Sequence, residues 1–494
     1  MTATALLRRV ARPERKATPA PDLGGTEARQ AGGVQPPELR RAAMRGGVYL
    51  IGRQSISIVL KFVGVMLITR VLGPAGYGAY VSSLNIYQYA TMLGQAGIGV
   101  YLLRHAGEVP DQAYRTAYTM LAILGLLLIG VFEAGTESLS RWIGVADFDA
   151  VTRIIILALP FQLLALPASV KLERALDYRS VAMLEILGQL AYYVLAVPLV
   201  TMGVGPTSLA LAWLLQQAVT CLTAHIIARS RPRFGFDPAT ARGIAHYAAN
   251  FSLANWIWQL RMLVNPIVVG PALGAQAVGL VGMTIGLLEM LSIIKTIVWR
   301  LSVAIFAKVQ HDSKRLRRAV QEGMELQTLA VGAILLGFAW AGHVVVPWLF
   351  GARWAGVMSI YPYLALAYFT NAIFNMHSSA LSVLGRNRDL AIFHIAHVAL
   401  FAGTAALLVP QFGTVGYGLG ELAALASYGV IHSYLARAVG GPRYLPTAVW
   451  WLGVAIGLFW HQFGLWTIAI PLVALALPPS PARLIFYYGR VRQC

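Results

Sequence analysis

Along most of this chain the apolar residues come in unbroken runs of about twenty, cut by short polar turns. They show neither the alternation of a half-buried strand nor the three-and-four rhythm of a surface helix. Fourteen runs stand between charged or Gly/Pro punctuation: 46–69, 79–103, 115–134, 152–170, 181–202, 207–228, 246–270, 276–300, 323–347, 357–384, 390–410, 414–436, 446–463 and 465–486. The last is cut early by "LALPPSPARL". About twenty helical residues cross the hydrocarbon core of a bilayer, whereas barrel strands would read as alternating segments of about ten. The pattern predicts an all-α, polytopic membrane protein with about fourteen transmembrane helices.

Composition agrees: 57% of the 494 residues are hydrophobic and 12% are charged, the latter about half the share usual in soluble domains. The net charge of +19 would point to nucleic acid in a soluble protein. Here membrane topology accounts for it, and no nucleic-acid partner is expected. With the N-terminus inside, 21 Lys and Arg residues fall in inside connections or the C-terminal end and four (Arg70, Arg141, Arg153, Arg353) in outside ones. A miscounted helix would reverse every later loop and destroy this asymmetry. The reading is therefore an even number of spans in the cytoplasmic (inner) membrane, with both termini cytoplasmic.

Residues 1–45 are rich in Pro, Gly, Ala and Arg and lack an apolar run, which predicts a disordered basic cytoplasmic tail rather than a signal peptide. Cys221 and Cys494 give no reason to expect a disulfide or a metal site.

Two turns repeat. "LGPAGYG" (72–78) follows the first span and "LGAQAVG" (273–279) the seventh, both Leu-Gly, four residues, Gly. "LERALD" (172–177) follows the fourth and "LGRNRD" (384–389) the tenth, sharing Leu, Arg and Asp. An offset of six helices preserves orientation, so the repeat is parallel, with its axis along the membrane normal. The expected domains are a six-helix bundle over 46–230, a cytoplasmic linker at 231–245, a second six-helix bundle over 246–440, and two extra helices with a short end over 441–494.

"TRVLGPAGYGAY", "GQAGIGVYLLRHAGE", "VVPWLFGARWAG" and "LSVLGRNRD" together resemble the polysaccharide-transporter branch of the multidrug/oligosaccharidyl-lipid/polysaccharide flippase superfamily, over about residues 46–440. The resemblance implies two bundles facing a central cavity. It implies alternating access that moves a polyprenyl-diphosphate-linked oligosaccharide outward for exopolysaccharide, capsule or O-antigen. Many relatives carry an acid near the end of the seventh helix, where this chain has Asn265 and Pro266; that departure puts a cation-coupling role at this position in doubt.

Such a cargo must cross with its diphosphate and sugars in a polar path, because burying unpaired charge or hydroxyls costs several kcal/mol per group. Charges sunk in spans are the places to look. Arg53, Ser57, Lys61 and Gly64 share one face of the first span, and Asn250, Trp258, Arg261 and Asn265 share one of the seventh. A cation at such depth costs about 3 kcal/mol on insertion scales, so Lys61 and Arg261 should face a cavity or a partner, while Arg53 and Arg300 also fit snorkelling to the interface. Glu289 lies deep in the eighth span, where the repeat aligns it with Gln88; it fits an ion pair with Lys295, Arg261 or Lys61, or proton uptake. The residues expected to bind substrate are Arg53, Lys61, Gln88, Asn250, Arg261, Asn265 and Glu289. Trp256 and Trp258 could stack on sugars, though packing is the commoner use of membrane Trp. Glu421 and Glu185 receive no role. His394 and His397 share a face, but nothing completes a metal set.

No Walker motif and no hydrolase triad is present, and no cofactor is implied. Expected partners are the lipid-linked oligosaccharide, the membrane and the pathway's polymerase and glycosyltransferases; the chain itself reads as a monomer and as a transporter rather than an enzyme. The alternatives are a cation-coupled multidrug antiporter, which would want a deep carboxylate, often in the first half, where the deep groups of spans one and two are only Arg53, Lys61 and amides, and an integral-membrane polymerase, which would want a large external catalytic loop. A purely structural membrane protein would leave the deep charges without a purpose.

Overall fold

The computed structural model describes residues 37–105 and 107–476; the side chains of residues 37–59, 61, 247–251, 297, 300, 446 and 476 lie outside that description. Every regular element among the described residues is a helix. In chain order they are α1 (Pro37–Gln95), α2 (Ile98–Arg104), α3 (Asp111–Ile143), α4 (Phe148–Ile156), α5 (Leu159–Arg174), α6 (Tyr178–Thr201), α7 (Thr207–Ile227) and α8 (Pro238–Gln259). Then follow α9 (Gly270–Leu291), α10 (Ile293–Val309), α11 (Ser313–Phe350), α12 (Val357–Val383), α13 (Asn387–Phe412), α14 (Thr414–Ala424), α15 (Tyr428–Val439), α16 (Leu445–Leu458), α17 (Trp460–Phe463) and α18 (Ala469–Ala476).

Nine helical segments among the described residues are long and apolar enough to cross a membrane, against an expectation of fourteen spans. Seven of the apolar runs each coincide with one such segment. Four more fall pairwise into two long segments, Phe62–Gln95 with 34 residues and Ser252–Leu291 with 40. At 1.5 Å per residue these would reach roughly 50 and 60 Å if straight, well beyond a core of about 30 Å. Each turns left-handed at one glycine inside, Gly73 (φ 69°) and Gly274 (φ 78°), a torsion that glycine adopts without a steric penalty. The remaining three runs are too broken to count: 414–436 divides into α14 and α15 around a 3₁₀ turn, and α16 and α18 are short. The first helix begins at Pro37, inside the tail expected to be unstructured. Pro pre-sets the first helical turn, and "ELRRAAMR" is made of helix formers.

The two broken segments meet each other. A Cβ added to Gly78 would stand 1.9 Å from the Ala275 carbonyl oxygen, and one added to Gly279 would stand 1.9 Å from the Pro74 carbonyl oxygen. Pro74 and Ala275, like Gly78 and Gly279, are 201 residues apart. The contact is therefore reciprocal, as across a two-fold axis, and only glycine lets the backbones come so close. The same end is tied further by "VVPWLFGARWAG". Arg70 Nε donates to the Leu349 carbonyl at 2.6 Å and its Nη2 to that of Trp348. The buried Trp354 donates Nε1–H to the Thr69 carbonyl at 3.1 Å and packs edge-on to Tyr77.

At the far end of the chain α16 and α17 are fastened to the helices before them by tryptophan N–H groups: Trp450 to the Thr328 carbonyl, Trp451 to Thr370 Oγ1 and Trp460 to the Ala339 carbonyl, at 2.9–3.0 Å. Tyr444, just before α16, places its hydroxyl 2.6 Å from His377 Nε2 and 2.7 Å from His432 Nδ1. Buried polar groups without such partners would be costly.

Candidate functional site

Two polar regions stand out, one on each of the broken segments. The first is built where α8 ends. The helix tightens to a 3₁₀ turn at Leu260–Leu263 and loosens to a π turn at Asn265–Val269, around Pro266, which has no N–H to donate. Single-turn π insertions are frequent at functional sites. Here the irregular stretch follows Trp258 and carries Arg261.

The Arg261 guanidinium lies 4.9 Å over the Trp258 ring and 5.5 Å over the Tyr368 ring. Its Nη2 donates to Tyr368 Oη at 3.2 Å, and its Nη1 is 4.0 Å from Glu421 Oε1. Glu421 in turn is 3.7 Å from His397 Nε2, and His397 Nδ1 is 2.9 Å from Ser427 Oγ. A second cation joins from α10. Lys295 Nζ is 5.0 Å over the same Tyr368 ring and donates to Asn371 Oδ1 at 2.8 Å; Asn371 Nδ2 donates to Tyr428 Oη at 2.8 Å. Two cations thus share one tyrosine face region. The Arg261 side chain keeps 20% of its surface exposed and Glu421 keeps 7%. Cation–π contacts, worth up to about 2 kcal/mol when desolvated, and the single carboxylate offset part of the cost of that burial. Among the described residues Lys295 has no ion pair of its own.

The second region is a cavity of about 520 Å³. Tyr77, Tyr80 and Gln88 of α1, Gln189, Tyr192 and Tyr193 of α6, and Trp213 and Gln216 of α7 line one side; Met283, Glu289 and Met290 of α9 line the other. Phe62 and Gln88 both line it, although 26 residues of unbroken helix would hold them about 39 Å apart, so the break at Gly73 folds the segment around this space. Glu289 is exposed on a helix whose neighbours Leu287 and Leu288 are buried. A smaller cavity, about 260 Å³, includes Gln95, Glu173, Asn255 and Trp256 in its lining.

The residues expected from the sequence separate accordingly. Arg261 is in the charged cluster, with Trp258 against it. Gln88 and Glu289, aligned in the repeat, line the larger cavity together. Asn265 is fully buried and donates Nδ2–H to the Val278 carbonyl at 3.2 Å, which ties the π turn to α9 and leaves it off both cavity walls. The side chains of Arg53, Lys61 and Asn250 lie outside the description. Glu289 forms no ion pair with Arg261 or Lys295; the carboxylate beside Arg261 is Glu421. His394 Nδ1 is 2.7 Å from the Ala254 carbonyl, and both His394 and His397 pack against Trp258.

Sequence reasoning missed Glu421, His397, Lys295, Tyr368 and Asn371 as a group. One signal was available: a carboxylate as deep as Glu421 needs a partner, and Arg261 was the unpaired deep cation on offer. Tyr368 and Asn371 carried no signal, because a tyrosine or an amide in an apolar run is unremarkable until its neighbours are known.

A model of the polysaccharide biosynthesis protein family matches residues 67–359. The chain is similar to the succinoglycan biosynthesis transport protein ExoT of Rhizobium meliloti, 26% identical over 355 residues, with 70% of each chain covered. It is similar to the lipopolysaccharide biosynthesis protein WzxC of Escherichia coli, 22% identical over 394 residues and 78% of each. Among solved structures the lipid II flippase MurJ in an inward closed conformation superposes with a TM-score of 0.68 at 12% identity, over 90% of this chain and 99% of that one. A multidrug transporter of the MOP superfamily, facing inward, superposes with a TM-score of 0.62 at 17% identity, over 77% and 95%.

Proposed function

The chain belongs to the family of polysaccharide biosynthesis proteins, and from that premise we propose that this multi-pass membrane transporter of flippase type carries a polyprenyl-diphosphate-linked oligosaccharide from the inner to the outer leaflet of the cytoplasmic membrane. The lipid tail stays in hydrocarbon while the diphosphate and sugars travel through the polar interior. In this reading the end bearing Gly73 and Gly274 faces outward and is the closed side. The broken segments each cross the membrane twice, and with α14–α18 supplying the rest the chain forms two six-helix bundles, two further helices and cytoplasmic termini, acting as a monomer.

The observation that carries the reading is the meeting of Arg261 and Lys295 on Tyr368 with one carboxylate, Glu421, in ion-pair range. A diphosphate is the headgroup that gains most there, because charge-assisted bonds to phosphate oxygens are about twice as strong as neutral ones. Arg53 and Lys61, just before the first segment, and Asn250, just before the second, are proposed to extend the path.

The test is transfer of a fluorescent polyprenyl-diphosphate trisaccharide across vesicles containing the full chain. Arg261→Ala, Lys295→Ala and Lys61→Ala should each cut transfer at least tenfold with insertion unchanged. A wild-type protein that moves lipophilic cations or free trisaccharide, but not the lipid-linked one, overturns the reading.

A further inference from the structure

The larger cavity has a chemistry that the charged cluster lacks. Its described lining holds no Lys, Arg or His. It offers tyrosine and tryptophan rings, side-chain amides and a single carboxylate. Its volume of about 520 Å³ falls within the range of small-ligand sites. The rings are held rigidly by one another. Tyr192 and Tyr193 pack edge to face at 5.0 Å, Tyr192 and Trp213 at 6.4 Å, and Tyr192 donates its hydroxyl hydrogen to Tyr80 Oη at 3.4 Å. Gly64 makes room for the Tyr193 ring, which would lie 2.0 Å from any Cβ there. Gln88 is exposed, and neither it nor Gln216 is engaged in a hydrogen bond among the described residues.

Rigid aromatic faces beside unengaged amides match a pyranose ring: its C–H face packs on the rings while its hydroxyls meet donors and acceptors from the amides. Glu289 then acts as a charge filter. A second carboxylate close to it would be repelled, so a sugar acid is disfavoured whereas a neutral sugar meets no such repulsion and can donate hydroxyls to Glu289.

We propose that this cavity is a glycan subsite that selects neutral sugar units, separate from the cationic cluster that takes the diphosphate. The proposal rests on the flippase reading and assigns its cargo's sugar class: the unit held in this cavity bears no carboxylate. Cargo would lie across the two segments, sugar against Tyr193, Trp213 and Gln88, diphosphate against Arg261 and Lys295.

The test uses the purified full chain in lipid nanodiscs with three probes: cellotriose, trigalacturonic acid and undecaprenyl diphosphate. Wild type should bind cellotriose at least tenfold more tightly than trigalacturonate. Tyr193→Ala and Gln88→Ala should weaken cellotriose at least fivefold and leave undecaprenyl diphosphate binding within twofold. Glu289→Gln should raise trigalacturonate affinity several-fold relative to cellotriose. Tyr193→Phe, which keeps the ring, should retain most cellotriose binding and so separates lost stacking from lost folding. No cellotriose binding, equal binding of the two trisaccharides, or a Glu289→Gln variant with unchanged preference overturns the subsite. Undecaprenyl diphosphate that fails to bind wild type, or binds Arg261→Ala equally well, counts instead against the flippase reading.

Discussion

Phe62–Gln95 and Ser252–Leu291 are made to one plan and filled with different chemistry. Each turns left-handed at one glycine, Gly73 or Gly274, and each lends a second, Gly78 or Gly279, to the same reciprocal contact. Past the break they diverge: Gln88 stands in α1 where Glu289 stands in α9. The first segment gathers tyrosines and amides from α6 and α7 around a cavity, while the second, joined by Lys295 just beyond it, brings Arg261 to Tyr368 and Glu421. A repeated fold thus conserves its backbone contacts, which tolerate nothing but glycine, and is free to vary the lumen, where side chains have room.

The largest effect should come from breaking what the segments share. Gly279→Leu and Gly78→Leu place a side chain where a carbonyl oxygen already lies 1.9 Å from Cβ, and no rotamer moves a Cβ. Either should abolish export and drive the glycine end apart, seen as a longer distance between spin labels at positions 75 and 276 by electron–electron resonance.

Next comes what divides them. Arg261→Lys keeps the charge but loses the planar group that faces Trp258 and Tyr368; lipid-linked transfer should fall tenfold or more. Glu421→Gln should cost stability instead, because it leaves Arg261 buried without its ion partner, an effect of about 3 kcal/mol if the pair behaves as buried pairs do. Thermal unfolding in nanodiscs checks it.

Tyr444→Phe should have a smaller effect, confined to the attachment of α16. It removes the hydroxyl that His377 and His432 both reach, for about 1–3 kcal/mol, read as earlier proteolysis of the C-terminal helices with cargo binding intact.

The smallest effect lies outside both segments. Asp237 caps α8, accepting from the Thr240 hydroxyl at 2.5 Å and its N–H at 2.8 Å, and these bonds hold its carboxyl below the ordinary value. A depressed folded-state value means the cap's contribution is present above about pH 4 and lost as pH falls through the folded value. Asp237→Ala should lower the melting temperature slightly at pH 7 and by less near pH 3.

Twenty-residue apolar runs admit few structures in a bilayer, since every backbone group must bond within its own helix. The all-helical class, the membrane setting and the repeated Leu-Gly turn therefore followed from the sequence alone, as did Arg261 and Glu289 as residues in need of company. Tertiary structure decided whose company they keep: Glu421 rather than Glu289 for Arg261, Asn371 for Lys295, and an aromatic cavity for Glu289. Arg261 and Glu421 lie 160 residues apart, and Glu289 and Tyr77 of its cavity 212. A linear pattern states that a buried charge must be paid for by something nearby, but nearness across helices is set by packing, which no periodicity in one segment records.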